Sequence, residues 1–128
     1  MNDNILNEII DKHRKWLNHE EGGECADLRH SDLSGSDLRG CDLSGSDLSG
    51  ANIDYSAWPL WCGSLKAHVD DRIAIRLLYH TLSVVQHSPY VSDELKRALL
   101  TAGNVDAANR FHRVEECGRL EEYNGHTV

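Results

Sequence analysis

No run of apolar residues in this chain approaches the roughly 20 that a helix needs to cross a bilayer, and the mean hydropathy is −0.50. The opening MNDNILNEII has neither the basic residues nor the small-residue cleavage site of a secretory leader. Four cysteines (Cys25, Cys41, Cys62, Cys117) form no CxxC pair and no zinc-finger spacing, which points to a reducing, cytoplasmic setting. Eight histidines (His13, His19, His30, His68, His80, His87, His112, His126) contain no HExxH and no pair four residues apart. There is no GxSxG elbow, phosphate loop or dinucleotide fingerprint. The run DLSGSDLSG lacks the D-x-D-x-D spacing and closing glutamate of a calcium loop. The sequence thus gives no ground for an enzyme, a metal, a cofactor, a small-molecule substrate or a membrane partner.

Bases are also scarce. The 128 residues carry 13 Lys and Arg against 21 Asp and Glu, a net charge of −8. The excess is local. Residues 21–57 hold eight acids (Glu21, Glu24, Asp27, Asp32, Asp37, Asp42, Asp47, Asp54) against Arg29 and Arg39, a net −6. The flanking segments, 1–20 and 58–128, are each −1. A surface of this sign does not bind a phosphate backbone, which requires basic neutralisation. It suits a basic protein partner.

What the acidic segment does have is a repeat. From Ala26 to Tyr55 it reads ADLRH, SDLSG, SDLRG, CDLSG, SDLSG, ANIDY. An aliphatic residue returns at every fifth place (Leu28, Leu33, Leu38, Leu43, Leu48, Ile53), with a small residue two positions earlier (Ala26, Ser31, Ser36, Cys41, Ser46, Ala51). Asp27, Asp32, Asp37, Asp42 and Asp47, then Asn52, stand between them. A period of five fits neither a helix nor a strand, and fixed-period self-similarity marks a repeat architecture. A chain that turns after each unit brings every Leu back to one axis. Gly35, Gly40, Gly45 and Gly50 end four units, where turning is least costly. Cys41 falls at an inward position and reads as a small buried residue. Four units make one coil, so Asp27 and Asp47 should share a side about 4.8 Å apart.

This pattern resembles the pentapeptide-repeat family, whose motif is A(D/N)LXX; the match covers Ala26 to Tyr55. The resemblance implies an α+β protein: a short right-handed quadrilateral β-helix of about one and a half coils, with an N-terminal helix and a C-terminal helix cluster. The expected segments are residues 1–20 (capping helix), 21–57 (acidic repeat) and 58–128 (helical bundle with a flexible tail).

Outside the repeat the pattern is helical. Asp3 or Asn4 is placed to cap a helix to about Asn18, with Ile5, Ile9, Lys12/His13 and Trp16/Leu17 as its apolar stripe and Asp11–Lys15 as a pair. After Tyr55 the register fails, and Trp58, Leu60 and Trp61 read as a plug between repeat and helices. A second helix is expected from Asp70 to about Gln86, with Val69, Ile73, Leu77, Leu78, Leu82 and Val85 as its stripe. Ser92 should cap a third, with Leu95, Leu99 and Leu100 inward, ending at Gly103. A last helix from Asn104 to about Val114 precedes a fraying tail, Glu115 to Val128.

Two functions from different classes follow. Longer pentapeptide-repeat proteins include DNA mimics that inhibit DNA gyrase. The layout here is similar to small phage-encoded anti-CRISPR proteins of the type I-C class, which occupy the DNA-binding surface of the Cascade complex in the bacterial cytoplasm. That similarity implies a partner-binding surface of Asp27, Asp32, Asp37, Asp42 and Asp47, with Asn52, Arg29 and Arg39 as departures, and the net −6 of residues 21–57 adds Glu24 and Asp54 to it. The other function is an interaction adaptor that uses the Trp58–Trp61 region or the helical bundle. The acids also have a scaffold reading, in which Asp or Asn bonds the backbone of the next turn.

Overall fold

The computed structural model describes residues 1–125; His126 and the rest of the expected fraying tail beyond it lie outside the described residues. Two compact units divide the chain, Met1–Asp70 and Asp71–Val128.

In the first unit, α1 spans Asp3–Leu17. Its cap is Asn2, whose side chain accepts the Asn4 N–H at 2.7 Å. The stripe it buries is rotated from the expected one: Leu6 and His13 are buried, whereas Ile5 is 52% exposed and Trp16 41%. The ion pair on its surface is Glu8–Lys12, 3.5 Å. The chain then reverses through Gly22 and Gly23. A Cβ at Gly23 would lie 2.6 Å from the Trp16 Cα, so only glycine lets the reversing strand of chain pass so close to the helix backbone.

The repeat winds on from there. Leu28, Leu33, Leu38, Leu43 and Leu48 are wholly buried and Ile53 nearly so, stacked on the axis that the period of five requires. Ala26, Ser36, Ser46 and Ala51 are buried beside them, while Ser31 and Cys41 are only half-buried. Successive coils are tied by backbone bonds: Leu28 N–H to Asp47 O (2.9 Å), Leu33 to Asn52 (2.8 Å) and Leu38 to Ala57 (2.8 Å).

The wall differs from expectation. No strand forms among the described residues, so the β-helix and the α+β class are both corrected. Strand-like pairing between coils is limited to isolated parallel bridges: Asp27 with Asp47, Asp32 with Asn52, Asp37 with Ala57, and Asp47 with His68. The reason is geometric. A turn recurs every five residues, at 29–30, 34–35, 39–40, 44–45, 49–50 and 54–55. Each side is too short for more than one bridging residue, and a ladder needs consecutive ones. All regular secondary structure among the described residues is helical.

The coil also continues past Tyr55, where the sequence motif stops. Leu43 N–H donates to Gly63 O (2.8 Å), Gly45 to Lys66 (2.9 Å) and Leu48 to His68 (2.8 Å). The donor-to-acceptor spacing of 19 residues lengthens to 20 or 21 here, and the single 3₁₀ turn Cys62–Ser64 takes up the extra length. Two coils and the start of a third are therefore wound. Trp58 follows Ile53 at the central place of its unit and is half-buried. Leu60 is no plug; it is 96% exposed.

The second unit is built from α2 (Asp71–His87), α3 (Asp93–Leu99), α4 (Ala102–Ala108) and α5 (Val114–Cys117). Ser92 caps α3 as expected, accepting the Leu95 N–H at 3.1 Å. Thr101 caps α4 in the same way, so Gly103 lies inside a helix rather than ending one. Leu95 points outward, and the buried residues of α2 include Arg76 and Tyr79 rather than Leu77. The core is Tyr79, Leu82, Val85, Leu100, Val105, Ala108, Phe111, Val114 and Leu120. Leu120 belongs to the segment expected to fray. It is held by a reciprocal backbone-to-side-chain pair with Asn109 (2.8 and 3.0 Å) and by the Tyr123 N–H on Leu100 O (3.0 Å).

Candidate protein-binding surface

Each acid of the repeat does the same local work. One carboxylate oxygen accepts the backbone N–H two residues on: Asp27 from Arg29 (3.2 Å), Asp32 from Ser34 (3.1 Å), Asp37 from Arg39 (3.1 Å), Asp42 from Ser44 (3.0 Å) and Asp47 from Ser49 (2.9 Å). Asn52 accepts from Asp54 at 2.9 Å. This Asx turn reverses the chain locally. It needs only an acceptor oxygen, which is why Asp and Asn both serve. The bond stays inside its own turn and does not reach the next coil, as the scaffold reading had supposed.

The residue two places after each acid sets its electrostatics. Arg29 and Arg39 fold back on Asp27 and Asp37 in two-pronged pairs, 2.9 and 2.8 Å each. The guanidinium holds each of these two carboxyls down to about 2. Ser34 and Ser49 hydroxyls donate to Asp32 and Asp47 (2.5 and 2.6 Å). Together with the turn amide they draw both carboxyls below the usual range, and hydrogen bonding from Ser44 does the same for Asp42. All five acids are ionised at neutral pH, and each is fixed in direction.

The coil places them around its circumference. Bridges one coil apart put Asp27 and Asp47 on one side, as the period predicts. Asp32 shares its side with Asn52, and Asp37 with Ala57. Arg29 sits between the first pair, with its Nε 4.0 Å from the Asp47 carboxylate. The repeat thus presents Asp32, Asp42 and Asp47 without an arginine fork, and Asp27 and Asp37 with one. Glu24 stands at the entry to the coil, where its N–H donates to Lys12 O at 3.0 Å. Asp54 closes the last Asx turn, its N–H donating to Asn52.

Six recurrences of one turn around one leucine axis now carry the comparison with known proteins. Residues 24–54 match the pentapeptide repeats family, in eight copies. Pentapeptide repeats are in general structural and non-catalytic. No curated protein and no solved structure matches the chain.

Other features lie off the pentapeptide repeat itself. Beyond its last unit, Leu65 is 77% exposed and Trp61 47%, the indole N–H donating to Cys41 O at 3.2 Å. In the second unit His80 and His112 each meet the Phe111 ring edge to face, 5.9 and 5.1 Å between centroids. Burial lowers the pKa of both, with nearby arginines adding to the shift. Among the described residues no three His, Cys, Asp or Glu side chains gather as a metal set. No described helix is long and apolar enough to cross a membrane.

Sequence reasoning missed two things here. The arginine forks on Asp27 and Asp37 were legible as the D-x-R spacing in ADLRH and SDLRG. The groove that α1 makes with the start of the coil was not, because it depends on which face the helix buries.

Proposed function

We propose that the pentapeptide repeat is an anionic protein-binding surface that takes the place of DNA in the basic groove of a host nucleic-acid-binding complex. The finer form of this reading is a phage-encoded anti-CRISPR-type inhibitor that blocks target DNA binding by a type I-C Cascade in the bacterial cytoplasm. The protein is not an enzyme and binds no nucleic acid itself. The observation that carries the reading is the set of five carboxylates, ionised and locked by their own Asx turns around a rigid leucine axis. Asp27 and Asp47, the one pair of these acids that a bridge places one coil apart, are about 4.8 Å from each other in backbone spacing, and duplex DNA shows one charge per about 1.7 Å of axis. The coil is therefore sparser than DNA but does not have to be ordered on binding, which lowers the cost of association.

A second reading is an adaptor that uses the Trp58–Trp61 region. The exposure of Leu60 and Trp61, neighbours in the chain, favours it, because adjoining exposed apolar surface marks contact sites where a single exposed apolar residue does not. A DNA mimic aimed at another host DNA-binding protein is the remaining variant of the first reading.

A mobility-shift assay with purified type I-C Cascade and its duplex target separates these. Mimicry predicts that added protein releases DNA from Cascade, that high salt abolishes the effect, and that the protein alone shifts no DNA. Undiminished Cascade–DNA binding at low salt excludes Cascade as the target.

A further inference from the structure

A groove of about 310 Å³ runs between α1 and the first residues of the coil. α1 buries Leu6 and His13, which leaves Ile5 exposed and Ile9 half-buried along the groove. These two side chains form an apolar wall. Glu8, Glu24 and Asp27 supply acids, and Lys12 is the one base among the lining residues. Lys12 is already paired with Glu8 at 3.5 Å. Asp27 is already forked by Arg29. Glu24 is left as the acid placed to meet an incoming cation, and its backbone is pinned to α1 through the bond to Lys12 O.

An apolar wall ending in a carboxylate matches one kind of side chain. Arginine and lysine carry an aliphatic stem and a charged head, and they bury the stem while the head seeks charge or water. The volume falls at the lower end of the range for small binding clefts. We propose that this groove receives an arginine or lysine side chain of the basic partner, with the stem along Ile5 and Ile9 and the head on Glu24. The inference rests on the anionic-surface reading above and adds an anchor point to it. It makes one contact short-ranged and partly apolar, in a surface otherwise read through its field.

The test is a titration of the ¹⁵N-labelled full chain with acetyl-Arg-Arg-Arg-amide, and separately with methylguanidinium, which has the head without the stem. The expected result is saturable shifts of the Ile5, Ile9 and Glu24 amides by the peptide, with methylguanidinium at least about tenfold weaker. Glu24 is exposed, so Glu24→Gln leaves the fold intact and should weaken the peptide about tenfold, the scale of a lost charge-assisted hydrogen bond. Ile9→Ser should remove the preference for the peptide over methylguanidinium. Shifts confined to the Ser34, Ser44 and Ser49 amides would overturn the groove and leave the anionic surface standing. Shifts at neither place would remove both. Groove binding without release of DNA from Cascade would remove Cascade as the target and keep the groove.

Discussion

His13 offers the sharpest physical test of how the first unit is held together. Its ring is fully buried, stacked on Trp16 at 5.4 Å, and its Nδ1 accepts the Ala26 N–H at 3.0 Å. An acceptor at Nδ1 requires the proton on Nε2, so the buried ring is neutral. Nε2 is itself buried without a hydrogen-bond partner. Protonating Nδ1 would point an N–H at an N–H, and α1 would lose its bond to the first residue of the coil. Burial accordingly lowers the His13 pKa below 6.5, more than the Ser44 backbone and the Asp42 carboxylate raise it. The folded state thus binds the proton less readily than the unfolded state. The stability this gives is complete above pH 6.5 and is lost as pH falls from 6.5 through the folded pKa. One proton sets the slope at about 1.4 kcal/mol per pH unit at its steepest. All three tryptophans (Trp16, Trp58, Trp61) lie in the first unit, so indole fluorescence in urea follows that unit alone. The comparison is wild type against His13→Gln between pH 7.5 and 4.5. At pH 7.5 the variant should be weaker by about 1–3 kcal/mol, the cost of a disturbed buried hydrogen bond, and the gap should close as pH falls. A constant gap at every pH would refute the neutral, Nε2-protonated ring.

Three further outcomes follow from the same unit. Leu38→Ala removes a wholly buried side chain from the leucine axis and should cost about 2–5 kcal/mol; an unchanged urea midpoint would contradict the stacked core. Gly23→Ala places a methyl against the Trp16 backbone, which cannot rotate away as a side chain could, and should cost about 1–3 kcal/mol; circular dichroism melts of the variant measure it. Asp27 and Asp37 have folded pKa values lowered to about 2, so the stability they give is present above 3.8 and is lost as pH falls toward 2. Acid titration of an Asp27/Asp37→Asn variant should therefore show a shallower loss of structure than wild type in that window.

The sequence is most informative where one physical rule repeats. Leucine at every fifth place announced a single axis, and the bridge between Asp27 and Asp47 confirms the 20-residue coil that follows from it. Ser92 as a cap was legible because the role depends on one side chain and one nearby amide. The strands were not there to find. The resemblance implied a β-helix, yet three residues between turns cannot make a ladder. The coil beyond Tyr55 was hidden because backbone bonds carry it on without the motif, with Trp58 following Ile53 on the axis. The facing of α1 was misjudged by one position: Leu6, seven residues before His13 and so on the same face, is buried in place of Ile5, and the burial of His13 depends on one acceptor bond to Ala26. The end of the chain was misread for a similar reason: Leu120 stands between charged residues in a mostly polar segment, and what fixes it are bonds to distant residues, the Asn109 side chain eleven residues back and Leu100 O. The acids divide between these cases. Their place on the coil was legible, and their Asx turns show why Asn52 can replace one of them without loss of the turn.

That last point supplies the measurement that bears most directly on the central claim. Asp32, Asp42 and Asp47 are the acids without an arginine fork, and Asn52 shows that asparagine keeps the turn. An Asp32/Asp42/Asp47→Asn variant should therefore remain folded while its field collapses. Binding to purified type I-C Cascade is measured for both proteins at low and at high salt. The account predicts a variant much weaker than wild type at low salt, chiefly through a slower on-rate, with the two converging as salt rises. Equal affinity at both salt concentrations would contradict it and leave the acids as scaffold alone.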